Sequence, residues 1–135
     1  MFLQPKKVKF KKTKKGKLVP LEFKSNILKF GTIGLKAAEA GIINARQIEA
    51  CRQAMSRKIK KKGKIWIRIF PDLPITSKPI SSRMGKGKGA VSHWGARVRG
   101  GTVLFEICGV KDPRITMEAL RTGQAKLPVK TRILK

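Results

Sequence analysis

The sequence predicts an α+β fold in which two helices pack on a largely antiparallel sheet, with a basic N-terminal arm and a long glycine- and lysine-rich loop. Residues 64–70 alternate between polar or aromatic and aliphatic side chains, which is typical of a strand, and apolar residues recur every three or four positions over 48–59, which is typical of a helix. The predicted order is strand, helix, strand, long loop, hairpin, helix, strand. This order favours an α+β domain with both helices on one side of the sheet.

Charge and length define the domain organisation. The 135 residues include 33 Lys and Arg against 7 Asp and Glu, a formal net charge of +26, and 41% are hydrophobic, which is too many for a disordered tail. We expect a basic arm at 1–20 and a single domain at 21–135 with an extended loop at 71–90. Such a charge needs a polyanionic partner, and nucleic acid is the leading candidate.

The start of the chain carries no membrane signal. No apolar run approaches the roughly 18 residues that span a bilayer, and the first residues lack the apolar core of a signal peptide. We therefore expect no membrane partner.

Residues 5–17 form a charge block that is either a solvated tail or an arm that threads between phosphates, and the net charge favours the arm.

The first predicted strand and helix follow the arm. Residues 23–33 are rich in β-branched and aromatic side chains and predict a strand. Asn44 and Gln47 have capping-box spacing and Ile43 with Ile48 has staple spacing, so a helix should begin at Asn44. Gly63 is predicted to end this helix.

This helix has an apolar stripe and a basic side. The stripe comprises Ile48, Cys51, Met55 and Ile59. The basic side includes Arg46, Arg57 and Lys60. A solvated face and a phosphate-facing role are both open for these cations, and the net charge favours the second.

The strand at 64–70 has two different faces. Its isoleucines point one way, and the opposite face carries Lys64, Trp66, Arg68 and Phe70. Basic and aromatic groups on one face could bind RNA by stacking and charge. They could equally cover a second core layer, and the sequence leaves both interpretations open.

The second half of the chain contains the loop, a hairpin, a helix and a strand. Prolines at 71, 74 and 79 stiffen the approach to the glycine-alternating segment 83–89, which should become ordered on an anionic partner. Residues 90–99 and 102–110 are predicted to pair through a Gly100-Gly101 turn. Asp112-Pro113 should begin a helix that runs to about residue 126, and residues 129–134 should form the last strand.

Catalytic chemistry is not indicated. Lys88 is followed by Gly89 and a strand, whereas a phosphate-binding P-loop requires Ser or Thr and then a helix. His93 has no triad partner, the acidic residues form no close pair, and Cys51 and Cys108 are expected to be buried small hydrophobes. We expect no enzyme activity, no cofactor and no metal site.

Eight blocks, spread in order over nearly the whole chain, carry a specific resemblance. They are LQPK (3–6), ARQIEA (45–50), GKIWIRIFP (63–71), PIT (74–76), KP (78–79), RMGKGKG (83–89), LFE (104–106) and KLPVKT (126–131). Together they resemble the bacterial-type ribosomal protein L sixteen family of the large subunit. The resemblance implies an α+β domain that binds large-subunit rRNA, contacts neighbouring ribosomal proteins and helps position A-site tRNA near the peptidyl-transferase centre, with P-site tRNA as an alternative ligand. No homo-oligomer is expected.

The resemblance also assigns site residues. The resemblance places Lys6, Lys7, Lys9, Lys11, Lys12 and Arg46 in the rRNA-binding set. The basic faces of the predicted helix and strand add Arg57, Lys60, Lys64 and Arg68 to that set. The loop near tRNA and the peptidyl-transferase centre comprises Arg83, Met84, Gly85, Lys86, Gly87, Lys88 and Gly89. Residues 15–30 and 116–124 depart from the family pattern.

The compartment and two competing functions stay open at this point. Residues 94–98 and 104–107 look similar to mitochondrion-encoded and alphaproteobacterial members, which favours a ribosome in the mitochondrial matrix over a plastid or bacterial cytoplasm. The competing functions are a nucleic-acid chaperone with weak selectivity among RNAs and a nucleotide-dependent enzyme.

Overall fold

The predicted α+β class is confirmed by the computed structural model, which describes residues 3–18, 20–60 and 62–135. The predicted arm at 1–20 includes positions 1, 2 and 19, which lie outside the described residues. The elements are β1 (Ile33–Ala37), β2 (Gly41–Asn44), α1 (Ala45–Ile59), β3 (Lys64–Ile67), β4 (Leu73–Ser77), β5 (Ala90–Val98), β6 (Val103–Cys108), α2 (Pro113–Gln124) and β7 (Thr131–Leu134). None of the described helices is long and apolar enough to cross a membrane.

The strands form two antiparallel sheets, where the sequence predicted one. A four-stranded sheet has the order β3-β6-β1-β7, and a three-stranded sheet has the order β2-β5-β4. The strands β2 and β4 were not predicted. The chain therefore changes sheet four times, after β1, β2, β3 and β5, and these crossings join the sheets into one body.

The predicted Gly100-Gly101 hairpin is wrong, because β5 and β6 lie in different sheets. Gly101 adopts φ 102°, and its N–H donates to Ala37 O at 2.7 Å. A Cβ on Gly100 would lie 2.9 Å from Pro20 O and 3.2 Å from Ala38 O. The two glycines thus let three backbone segments approach closely where the chain changes sheet.

The predicted strand at 23–33 is also wrong, since only Ile33 lies in a strand. Residues 22–31 follow an irregular path beside β6. The N–H groups of Lys29, Phe30 and Gly31 donate to the carboxylate of Glu106 on β6 rather than to a neighbouring strand. β-branched and aromatic composition favoured a strand here, but a side-chain acceptor satisfies the backbone instead.

The start and the apolar stripe of α1 are confirmed. Asn44 is the N-cap, and its N–H donates to Gln47 Oε1 at 2.9 Å. All four predicted stripe residues are buried. The predicted stop at Gly63 is wrong, because Lys60 is the left-handed C-cap with φ 52°. Gly63 instead permits a close approach, since a Cβ there would lie 2.8 Å from Cys108 O.

The second helix begins as predicted and packs against α1. Asp112 Oδ1 accepts the N–H of Arg114 at 2.8 Å, and Pro113 is the first helical residue. On α2, a Cβ at Gly123 would lie only 2.8 Å from Met55 Cγ and 3.0 Å from Cys51 Sγ on α1, so the helices touch closely there. Burial raises the pKa of the Cys51 thiol to about 12, which keeps it a neutral core group. Cys108 is only half-buried.

One hydrophobic core fills the space between the helices and the sheets. Its fully buried side chains include Leu35 on β1, Phe105 and Ile107 on β6, Ile48 on α1 and Leu120 on α2. Both sheets and both helices contribute to this core. The body therefore holds a fixed shape from which the three-stranded sheet projects its loop.

Candidate nucleic-acid interface

The glycine- and lysine-rich loop closes a β-hairpin. Strands β4 and β5 pair in antiparallel register with Ser77 opposite Ala90, so residues 78–89 form the turn of this hairpin. The sequence predicted an extended loop over 71–90, and residues 73–77 of that segment form the strand β4. Every residue of 78–88 is exposed, and Met84 is 97% exposed. The loop is presented on two paired strands rather than hanging from the body.

Backbone conformation explains the glycines of the loop. Gly85, Lys86 and Gly87 have φ values of 97°, 51° and 87° in succession. A Cβ on Gly85 or Gly87 would meet nothing within 4 Å, so their identity is required by backbone conformation and not by space. Gly89 differs, because a Cβ there would overlap the Ser77 carbonyl. The loop thus turns tightly, and its lysine side chains are exposed.

The N-terminal arm lies against this loop. Lys12 Nζ donates to Lys88 O at 2.8 Å, and Lys88 Nζ donates in turn to Thr13 O. Arg97 on β5 donates to Lys15 O at 3.2 Å. At the other end of the arm, Leu3 is 8% exposed and belongs to the hydrophobic core. The arm is therefore a strap that is anchored at its start and bonded to the loop and to β5 near its end.

Residues 3–18 and 78–89 together form a surface, the arm–loop surface, that contains no carboxylate. It carries eight lysines in the arm and four cations in the loop. Two of the loop lysines, Lys78 and Lys88, donate to backbone carbonyls, but a carbonyl does not neutralise an ammonium charge. Because the surface has no internal counterion, it favours a polyanion along its whole length.

The cations of α1 are divided between two places. Arg46 lies at the start of the helix beside Leu3, whereas Arg57 and Lys60 lie about 16 Å or more further along the helix axis. The Arg52 guanidinium donates to Glu49 Oε1 at 2.7 Å, and this bond lowers the pKa of Glu49 to about 2. The structure therefore brings Arg46 near the arm but leaves Arg57 and Lys60 at the far end of α1.

The basic and aromatic side chains of residues 64–70 are covered only in part by the protein itself. Trp66 stacks on Phe30 with ring centroids 6.1 Å apart and an interplanar angle of 19°. The ammonium of Lys64 lies 5.1 Å from the centre of the Trp66 ring, and the Arg68 guanidinium lies 5.2 Å from that of Phe30. Of the two open interpretations, this geometry favours a second packing layer for Trp66 and Arg68. Phe70 is the exception, being 51% exposed.

Glu106 is the central residue of that layer, and sequence reasoning missed it. Its side chain is fully buried, and it accepts the N–H groups of residues 29–31 and forms an ion pair with Arg68. Burial by itself would raise the pKa of Glu106, but the hydrogen bonds from Phe30, Gly31 and Arg68 together hold it below its usual value. We call this group the Glu106 clamp. The available signal was a single carboxylate in the otherwise apolar segment 103–108.

The fold and this surface define a class of protein. A folded α+β body that presents a carboxylate-free strap and hairpin loop belongs to the basic proteins built to meet a polyanion. No group of three His, Cys, Asp or Glu side chains within residues 3–18, 20–60 and 62–135 is arranged to hold a metal ion.

Comparison with known proteins gives the family within that class. A model of the family described as ribosomal protein L16p/L10e matches residues 5–134. The chain belongs to this ribosomal protein family, and the resemblance seen in its sequence blocks is confirmed.

Similar proteins come from bacteria. The large ribosomal subunit protein uL16 of Caulobacter vibrioides (strain NA1000 / CB15N) is 54% identical over 132 residues, covering 98% of this chain and 92% of the relative. The uL16 proteins of Bartonella quintana and Bartonella henselae are 53% and 52% identical, with 98% of this chain and 96% of each relative covered. These relatives are consistent with a bacterial protein and give no support to the expected mitochondrial location, which stays a prediction.

Proposed function

We propose that this chain, a structural constituent of the large ribosomal subunit, binds large-subunit rRNA and helps to position A-site tRNA near the peptidyl-transferase centre. The observation that carries the proposal is the arm–loop surface, in which two cationic segments far apart in sequence lie side by side. Its role is to bind and to position RNA, not to catalyse a reaction.

The arm and the hairpin loop suit two different RNA contacts. The arm runs across the body from Leu3 to the hairpin and offers eight lysines along an extended path, which suits the phosphates of a folded rRNA. The hairpin loop projects Arg83, Lys86 and Lys88 from exposed positions at the end of two strands. A projecting tip is suited to a ligand that arrives and leaves, and tRNA is such a ligand.

Four of the site residues have narrower roles in this proposal. Arg68 is committed to Glu106, with its side chain 12% exposed, so we assign it to shaping the body. Arg57 and Lys60 point to a second rRNA contact, distinct from the arm–loop surface, because α1 separates them from Arg46. Lys64 stays exposed beside Trp66 and is available to a phosphate.

Sedimentation tests the proposal. We expect the chain in native extract to travel with the large subunit on a sucrose gradient and to resist a moderate salt wash. Binding of the purified chain to rRNA should weaken steeply with salt, because neutralising about ten phosphates gives a log–log slope of several units. A chain that stays at the top of the gradient, or that spreads over all RNA, would support a general RNA chaperone instead.

A loop variant tests the tRNA part separately. The double substitution Lys86→Ala and Lys88→Ala should leave sedimentation with the large subunit intact, since all eight lysines of the arm remain, and should weaken A-site tRNA binding to purified ribosomes several-fold. The matched control is Lys111→Ala with Lys126→Ala, which removes the same charge from exposed positions flanking α2. If both double variants bind A-site tRNA equally well, the loop does not position tRNA.

A further inference from the structure

An open groove of about 750 Å³ lies beside the arm–loop surface, with residues 17, 18 and 22–25 on one side and residues 68–70 and 72 on the other. One wall is fixed to the body because Glu22 N–H donates to Gly100 O and Val103 N–H donates to Ser25 O, both at 2.9 Å. The other wall turns sharply after β3, where the N–H of Asp72 donates to Phe70 O at 3.1 Å. Both walls are therefore held by backbone hydrogen bonds, and the groove is part of the folded body.

Two phenylalanines line this groove with their rings exposed. Phe23 is 78% exposed and Phe70 is 51% exposed. Among the described residues, neither ring stacks on another aromatic ring, in contrast to Phe30, which covers Trp66. Exposed aromatic rings on one groove leave a large apolar area in water, and a partner with flat apolar faces would remove that cost.

The charge of the groove selects an anionic partner. Lys17, Lys24 and Arg97 line it, and Asp72 is the nearby carboxylate. Glu22 also lines the groove, but it pairs with Arg99 at 3.6 Å and accepts the N–H of Lys24 at 2.9 Å. Three cations therefore face the groove against one carboxylate, Asp72, that has no ion-pair partner within the part of the chain that the structure describes, and the groove is net positive. Because Arg97 also bonds to Lys15 O of the arm, the groove continues the arm–loop surface.

We propose that this groove binds an unpaired RNA strand, with bases stacked on Phe23 and Phe70 and phosphates held by Lys17, Lys24 and Arg97. This inference rests on the proposed function and narrows it, because it distinguishes unpaired from duplex RNA. Bases within a duplex hide their faces in the helical stack, so only unpaired bases can lie on the two rings. Cations and aromatic rings interleaved along one groove are the elements of single-strand binding.

Fluorescence anisotropy with the full chain tests the inference. The probes are a labelled pyrimidine-rich RNA of twelve nucleotides and the same strand annealed to its complement, at one salt concentration. The double variant Phe23→Leu with Phe70→Leu keeps apolar side chains and the net charge but removes both rings. We expect it to bind the single strand roughly 10-fold or more weakly, from the usual contribution of base–aromatic stacking, and to bind the duplex within about twofold of wild type.

Two controls make the result specific. The variant Phe23→Tyr with Phe70→Tyr keeps both rings and should retain single-strand binding. Thermal unfolding of the leucine variant should match that of wild type, which shows that the loss is not a loss of fold.

Three outcomes would overturn the inference. They are unchanged single-strand binding by the leucine variant, equal losses on both probes, and displacement of the RNA by a glutamate-rich peptide at lower concentration than by unlabelled RNA, which would point to a protein partner. If wild type binds both probes with a steep salt dependence but the variants do not differ, only this inference fails. If wild type binds neither probe, the proposed function fails as well.

Discussion

The Glu106 clamp and the arm–loop surface both use hydrogen bonds between charged side chains and the backbone. The clamp is buried in the fold, whereas the arm–loop surface is exposed to water. In the clamp, a fully buried carboxylate accepts three backbone N–H groups and pairs with a guanidinium that is itself mostly covered. On the arm–loop surface, the ammonium groups of Lys12 and Lys88 donate to backbone carbonyls in contact with water. The clamp has its counterion within the fold, and the arm–loop surface has none.

Because of this difference, the protein alone determines the structure of the body, whereas its partner determines the arrangement of the arm–loop surface. Breaking a buried ion pair leaves an uncompensated charge in the interior and typically costs about 3–5 kcal/mol. Polar contacts of exposed ammonium groups compete with water and contribute far less, of the order of an exposed ion pair at about 0–1 kcal/mol. The body should therefore keep its shape alone, whereas the arm–loop arrangement depends on the polyanion that neutralises it.

The largest expected effect is on the clamp. Glu106→Gln keeps the shape of the side chain but removes the charge that compensates Arg68, so we expect the free energy of unfolding to fall by about 3 kcal/mol in urea denaturation. The matched control is Glu118→Gln, which removes the exposed partner of Lys58. A loss for Glu106→Gln no larger than that for the control would mean that the clamp does not hold the body together.

The same variant has a defined pH dependence. Since the pKa of Glu106 is lower in the folded state than its usual value of 4.5, the stability it contributes is present above that pH and is lost as the pH falls through the folded pKa. The stability difference between wild type and Glu106→Gln should therefore be constant near neutrality and should narrow as the pH falls below 4.5. A difference that stays constant down to pH 3 would contradict the role of the ionised carboxylate.

A smaller loss of stability is expected when one glycine in each region is replaced by alanine. A Cβ on Gly31 would lie 2.8 Å from both the N and O atoms of Ile107, which are backbone atoms that cannot move aside. We expect Gly31→Ala to lower the free energy of unfolding by about 2 kcal/mol, within the usual range for overpacking. Gly85→Ala meets open space and carries only the strain of a positive φ, about 1 kcal/mol, at the lower end of the usual cost. Chemical denaturation of both variants gives the comparison, and equal losses would refute it.

Local patterns in the sequence predicted the parts of the fold that local interactions determine. The stripe from Ile48 to Ile59, the start of α1 at Asn44 and the start of α2 at Asp112 depend on neighbours within one helical turn, and all three are confirmed. Gly100-Gly101 has the local pattern of a hairpin, but sheet membership is decided by strands far away in the chain. The local pattern carries no information about pairing between strands that are distant in the chain.

The candidate site shows the same limit. Composition identified the cations of the arm and the loop, because an excess of lysine is visible without structure. It did not predict that Lys12 and Lys88, 76 residues apart, would touch. Glu106 gave a weaker signal still, since its backbone partners lie 75 to 77 residues earlier in the chain. Residues that meet only through the tertiary fold are beyond the reach of sequence periodicity.

Hydrogen exchange of the backbone amides, compared between the free chain and the chain within the large ribosomal subunit, tests the central claim most directly. We expect β6 and α1 to be protected in both states. Residues 3–18 and 78–89 should exchange rapidly in the free chain and become protected in the subunit. Strong protection of both segments in the free chain, or rapid exchange of both within the subunit, would contradict the claim that RNA sets the arrangement of the arm and the loop.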